Sequence, residues 1–231
     1  MGIYVGNKRY APYIGDKRRR YMGSSKKQYI QDGMIAWYDG EWNEDIGVHN
    51  SSATKWVNLA DKGNDITGID NTFTWGDDYL LPPLALNVGN IPSYKPLTIE
   101  CVFQDTSSGA YIPLGLSVYW IGIRANNTVN FSSGGYYVTL ASRNAKSSIS
   151  GIMTDANTAR NPLAIYLNGV SSMVSSGGMT FTFVQNKFNA THSFNYGTGT
   201  FKFYCIRLYN KQLSEAEVLN NWQIDKQRFG L

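Results

Sequence analysis

Followed along the chain, the apolar residues fall in short alternating runs separated by polar turns. Leu97, Ile99, Cys101 and Phe103 alternate with Thr98, Glu100 and Val102, which predicts a strand with one clearly apolar face. Leu163 to Leu167 leads into Asn168-Gly169, and an Asn-Gly pair after an apolar run is a strong hairpin signal. Met34 to Tyr38 predicts a first core strand. Phe201 to Tyr209 is a run of aromatic and aliphatic residues broken singly by Lys202, Cys205 and Arg207, and it predicts a long strand. Alternation assigns Tyr204, Ile206 and Leu208 to the core, and Phe201, Phe203, Cys205 and Tyr209 to the other face. A strand apolar on both faces needs cover on both. The segment that follows it, or the N-terminal arm, is the natural cover.

After Asn210 the period changes from two to 3.6. Ser214 with Glu217 three residues on predicts a capping box, and Leu213 with Val218 a hydrophobic staple. Val218, Leu219 and Trp222 then form the apolar stripe of a short C-terminal helix. Strands at roughly ten-residue spacing without intervening helices predict two packed antiparallel sheets. Gly134-Gly135, Ser176 to Gly178 and Tyr196 to Gly199 mark further turns.

Composition agrees with an all-β chain. Aromatic residues make up 14% and charged residues only 16%, where about 25% charged is usual. No apolar run approaches the ~18 residues of a membrane span. The start, MGIYVGNKRY, lacks the charged-then-apolar order of an export signal. A reducing compartment is therefore expected, with Cys101 and Cys205 as buried free thiols rather than a disulfide.

Charge separates the N-terminus from the rest. Of the net +4, residues 1–30 carry +7 (eight basic residues and one acid), which leaves −3 for residues 31–231. The basic residues are Lys8, Arg9, Lys17, Arg18, Arg19, Arg20, Lys26 and Lys27. A small repeat runs through the same segment: Tyr4-Val5-Gly6-Asn7-Lys8, then Tyr13-Ile14-Gly15-Asp16-Lys17, then a degraded Tyr21-Met22-Gly23-Ser24. Gly-Asn and Gly-Asp suit tight turns between short strands. Units this small must lean on the main domain, a sister copy or a partner. Residues 1–30 are thus expected to be an attachment arm. Arg18 to Arg20 could contact phosphates, but nucleic acid is the less favoured partner.

The order IAWYDGEWN, ATKWVNLADKGNDITG, LTIECVF, LAIYLNGV and FKFYCIRLYNKQLSEAEVLNNWQIDKQRFGL resembles the concanavalin A-like, laminin G-like jelly-roll domains. It is most similar to those of bacteriophage tail and virion proteins and of surface proteins of gut bacteria. The resemblance spans residues 34 to 231 and is most specific at the C-terminal motif. The Tyr-x-Gly-Asp/Asn-Lys units resemble attachment segments of phage tail proteins. The resemblance implies a two-sheet antiparallel jelly-roll sandwich at residues 31–231, behind a short β-repeat arm at residues 1–30. It also implies a virion structural protein, an oligomer with a trimer favoured, contacts to other virion proteins through the arm, and adhesion to a host-surface glycan. A decoration or connector protein with protein contacts only is the alternative, and a glycan depolymerase a weaker one.

Candidate chemistry is sparse. Paired carboxylates of a glycosidase would share a strand face at i and i+2 or i+4. Among the five Glu residues, Glu215 and Glu217 belong to the helix start, Glu100 stands alone on its strand, and Glu41 and Glu44 lie in a loop with Asp45. The family's Glu-x-Asp-x-x-Glu motif is absent, and no catalytic residue and no enzymatic activity are expected. Asp61, Asn64 and Asp65 offer hard oxygens of the kind calcium takes. The loop reads NLADKGND, with Asn58 where the resemblance has an acid and with Lys62 inside it. Asx turns account for the same residues without an ion, so no cofactor is expected and calcium is the one ion to consider. For a glycan, aromatic faces beside polar residues are needed; the candidates are Trp120, Tyr136 and Tyr137, with Trp75. Trp37, Trp56 and Trp222 are assigned to the core.

Overall fold

The computed structural model describes residues 3–5, 8–10, 28–60, 65–66, 74–81, 97–105, 111–116, 119–123, 127–131, 136–142, 144–153, 162–175 and 201–231. The three glycine turns named above lie outside them. The fold is an all-β sandwich closed by one C-terminal helix. The larger sheet contains β3 (Met34–Asp39), β5 (Thr74–Trp75), β6 (Leu80–Leu81), β7 (Thr98–Asp105), β12 (Ser147–Met153), β13 (Pro162–Leu167), β14 (Val170–Ser171) and β16 (Phe201–Tyr209). Its order is β14-β13-β12-β7-β16-β6-β5, with β3 also paired to β16. The second sheet, ordered β15-β11-β10-β9-β8, contains β8 (Tyr111–Leu116), β9 (Tyr119–Ile123), β10 (Thr128–Phe131), β11 (Tyr136–Thr139) and β15 (Val174–Ser175). Every pairing is antiparallel.

The main core lies between the two sheets. Ile99, Cys101 and Phe103 of β7, Ile149 and Met153 of β12 and Ile165 of β13 meet Val129 of β10 and Val138 of β11. The alternation along β7 is as its sequence predicts. Asn168 and Gly169 both take positive φ, 50° and 77°, and Leu167 pairs with Val170. Positive φ at both turn residues gives the type I′ turn that an Asn-Gly pair favours.

The central strand β16 departs from simple alternation. Its pairing with β7 shifts between Phe203, opposite Phe103, and Cys205, opposite Val102, so Tyr204 is the extra residue of a bulge. Side chains change face there. Phe201 and Phe203 join Ile206 and Leu208 in the inter-sheet core, whereas Tyr204 joins Cys205 and Tyr209 on the outer side. The expected faces are therefore corrected for Phe201, Phe203 and Tyr204. Cys101 and Cys205, both free and buried, belong to the two different layers.

Helix α1 (Glu215–Phe229) covers the outer side of the larger sheet. Ser214 caps it: the Glu217 amide donates to Ser214 Oγ at 3.4 Å, and the Ser214 amide donates to Glu217 Oε2 at 2.8 Å. Gly230 ends it in the left-handed conformation. Leu213 and Val218 are both buried in the layer beneath it. The face that α1 buries consists of Val218, Asn221, Asp225 and Phe229. Leu219 and Trp222 of the expected stripe are only half-buried; Trp222 lies over the hairpin turn at Gly169.

Two strands of the N-terminal segment, β1 (Ile3–Val5) and β2 (Lys8–Tyr10), form an antiparallel hairpin. The hairpin adds to β4 (Val48–Asn50) in a separate three-stranded sheet, with Arg9 opposite His49. This part of the arm thus pairs with the main domain. Tyr29, assigned by sequence to the arm, is buried in the helix layer.

Candidate functional site

Of the proposed ligand residues, three fall in the smaller sheet. In register, Gly122 of β9 faces Asn130 of β10, and Asn130 faces Tyr137 of β11. Position 120 lies two residues from Gly122 and shares its parity, and position 137 lies in Gly122's row. Two strand spacings and two residues separate 120 from 137, about 12 Å between Cα atoms. Position 136 has the opposite parity, that of the buried Val138. The sheet therefore brings positions 120 and 137 to one face and sets 136 on the other. Trp75 leaves the ligand set: it is only 8% exposed, its Nε1 donates to the Ala53 carbonyl, and its ring stands edge-on to Trp56. A ring enclosed in this way has no face to offer a sugar.

Asp61 and Asn64 of the candidate calcium loop lie outside the described residues. Asp65 is engaged within the protein, pairing with Lys55 at 2.8 Å and accepting the Asn58 amide at 3.0 Å. The Asn58 side chain accepts from the Trp37 and Ala60 amides and donates to the Ile35 carbonyl. A carboxylate could not make that donation, which is a structural reason for amide rather than acid at position 58. Among the described residues no cluster of His, Cys, Asp and Glu is arranged to hold a metal. Of the basic arm, Lys8 and Arg9 lie on β2, while Lys17, Arg18, Arg19 and Arg20 fall outside the described residues.

The densest chemistry lies under α1. Arg207, 1% exposed, reaches from β16 to Glu100 on the adjacent strand β7, Nε to Oε2 at 2.8 Å. Its terminal nitrogens meet both oxygens of Asp225 on α1, at 2.8 and 2.5 Å. Tyr29 donates to Asp225 at 2.8 Å, and its ring lies 4.2 Å from the Arg207 guanidinium carbon. Asn221 donates to Glu100 and to the Tyr209 hydroxyl, and Ser150 donates to Glu100. One turn further on, Arg228 pairs with Asp39 through two bonds of 2.8 and 3.1 Å and lies over the Trp42 ring at 3.9 Å.

Burial pushes the Glu100 carboxyl above its usual range, with Arg207 opposing, and does the same to Glu41, with Arg228 opposing. For Arg207 burial works against the charge, but Asp225, Cys205 and Glu100 outweigh it. Asp39 and Tyr29 lead the groups that do so for Arg228. Both guanidiniums are firmly protonated. Arg207, Glu100, Asp225, Arg228 and Asp39 are sealed from solvent and cannot meet a ligand directly; they fasten the helix and Tyr29 to the sheet. Glu100 is therefore not alone, as it looks in the sequence. The available signal was its opposite charge to Arg207, each a charged residue in the middle of a largely apolar strand.

No family model matches the chain, and no curated protein matches it. Among solved structures, the chain is similar to a Trypanosoma rangeli sialidase in complex with sialic acid, at a TM-score of 0.48 and 12% identity, over 85% of this chain and 33% of that one. It is also similar to the CBM40 of a Ruminococcus gnavus IT-sialidase bound to alpha2,6 sialyllactose, at 0.34 and 12%, over 54% of this chain and 83% of that one. A mutant of HCR/D matches at 0.43 and 10%, over 84% and 51%. The chain spans about a third of the sialidases' length. The expectation of a non-enzyme is corrected by these neighbours: several are sialidases, which are enzymes, and the exclusion does not stand. At such identity the likeness concerns the fold alone.

Proposed function

We propose that the chain is a bacteriophage virion protein whose sandwich is a saccharide-binding module for adhesion to the host surface. The observation that carries the reading is the register of the smaller sheet, which sets an indole-bearing and a phenol-bearing position on one face. Aromatic residues on one face of a sheet suit the apolar C–H faces of sugars. The resemblance of the C-terminal motif to phage virion domains supports the setting, and the basic charge of residues 1–30 suits docking to other virion proteins. A single such face binds a sugar weakly, so adhesion would draw on several copies, a trimer or an array on the particle.

The test uses the purified chain on an array of bacterial surface polysaccharides and in competition with phage adsorption. Binding should be lost in Trp120→Ala and Tyr137→Ala while the melting temperature holds. If the chain binds no polysaccharide and fails to compete, the connector reading, with protein contacts only, replaces this one.

A further inference from the structure

Beyond the end of α1 the outer side of the larger sheet carries a second polar strip. Lys202 of β16 stands opposite Gln104 of β7. Ser147 of β12 stands opposite Phe103, so Lys146, one residue before it, falls in line with Gln104. Lys146, Gln104 and Lys202 therefore form one row across three adjacent strands, with successive Cα atoms about 5 Å apart. The helix stops short of this row, with Phe229 against the Tyr204 ring.

Aromatic rings position both ammonium groups. Lys146 Nζ lies 4.3 Å from the Tyr204 ring centroid and Lys202 Nζ 4.3 Å from that of Tyr79. Tyr79 is itself fixed: it stands edge-on to Tyr204, and its ring packs so closely on Gly76 that a Cβ there would lie 2.3 Å away. Gln104 is held at both ends, accepting from the Tyr204 hydroxyl and donating to the Asn144 carbonyl. Lys146 has a carboxylate partner, Asp78, at 3.1 Å. Lys202 has none among the described residues. The two lysines and Asp78 leave the strip one positive charge in excess, on a side chain already held in place. Preorganisation lowers the entropy lost on binding.

We propose that this strip binds the carboxylate of an acidic saccharide, with Lys202 as its cation. The half-exposed Asp78 and the exposed Asn144 stand beside it to meet sugar hydroxyls. A polyanion such as nucleic acid is disfavoured, because Asp78 cancels one of only two positive charges. The strip lies on the other sheet from Trp120 and Tyr137, so the proposal does not depend on that face.

The test is calorimetric titration of the full chain with trigalacturonate and with its methyl ester, which lacks the charge. The acid should bind and the ester should bind at least tenfold more weakly. Lys202→Met should weaken acid binding about tenfold, the size of one charge-assisted hydrogen bond, with the melting temperature unchanged. Trp120→Ala should leave acid binding intact, which separates this strip from the first site. Equal binding of acid and ester, no binding of the acid at about 10 mM, or Lys202→Met indistinguishable from the native chain would overturn the assignment.

Discussion

Asp225→Ala is the most direct probe of what fastens the C-terminal helix. The Asp225 carboxylate, fully buried, receives two bonds from Arg207, one from the Tyr29 hydroxyl and a longer one from Ser148 at 3.4 Å. Its removal leaves the buried Arg207 guanidinium with Glu100 as its one carboxylate partner among the described residues and takes away the acceptor of Tyr29. Removing one partner of a buried ion pair costs about 3–5 kcal/mol, because the other charge stays desolvated. Against the ~5–15 kcal/mol that holds a domain together, this is a large fraction. For a chain of this size each kcal/mol moves the melting temperature by about 2–4 °C, so a fall of roughly 6–20 °C is expected. Urea unfolding should show a lower midpoint at unchanged slope. The double variant Arg207→Met, Asp225→Leu should lose clearly less than the sum of the two single losses, since no unpaired guanidinium remains. A single loss below about 1 kcal/mol, the range of exposed pairs, or strict additivity in the cycle, would refute the reasoning and mean that water reaches the carboxylate.

Four further outcomes follow from the structure. Gly169→Ala places a Cβ 2.6 Å from the Trp222 ring at a φ of 77°, and should lower stability by about 2 kcal/mol in chemical unfolding. Ser214→Ala removes the side chain that caps α1 and should lower it by about 1 kcal/mol. On pH, Glu100 is raised by burial, so above the ordinary carboxylate pKa of about 4.3 the folded chain holds a proton that the unfolded chain has lost. The native chain's stability advantage over Glu100→Gln should therefore shrink as pH rises from there towards the raised value. Glu217 behaves oppositely. Its bonds to Lys211 and the Ser214 amide depress it, so its contribution, full above the ordinary pKa, is lost as pH falls through the depressed value. Paired urea titrations across pH 3–7 (a span of about four units) check both signs.

Much of the fold is legible in the chain because the relevant rules act over a few residues. The capping box at Ser214 and Glu217, the Asn168-Gly169 turn and the one-sided apolar pattern of β7 all depend on neighbours within one turn or one strand. The same holds for the two-sided apolar character of Phe201 to Tyr209, which called for a cover on its outer face. What tertiary structure decided was of another range. Which residues of β16 face which layer depends on a bulge at Tyr204, and a bulge is set by register against a strand about a hundred positions earlier. The ion pairs of Arg207 with Glu100 and of Arg228 with Asp39 join residues 107 and 189 positions apart. Alternation reports that a charge sits on a face, but not what lies across from it. Likewise, the parity that unites positions 120 and 137, the row of Lys146, Gln104 and Lys202, and the seat of the N-terminal hairpin on β4 are facts of strand pairing. Local propensity specifies each strand; only the packed sheets specify its neighbours.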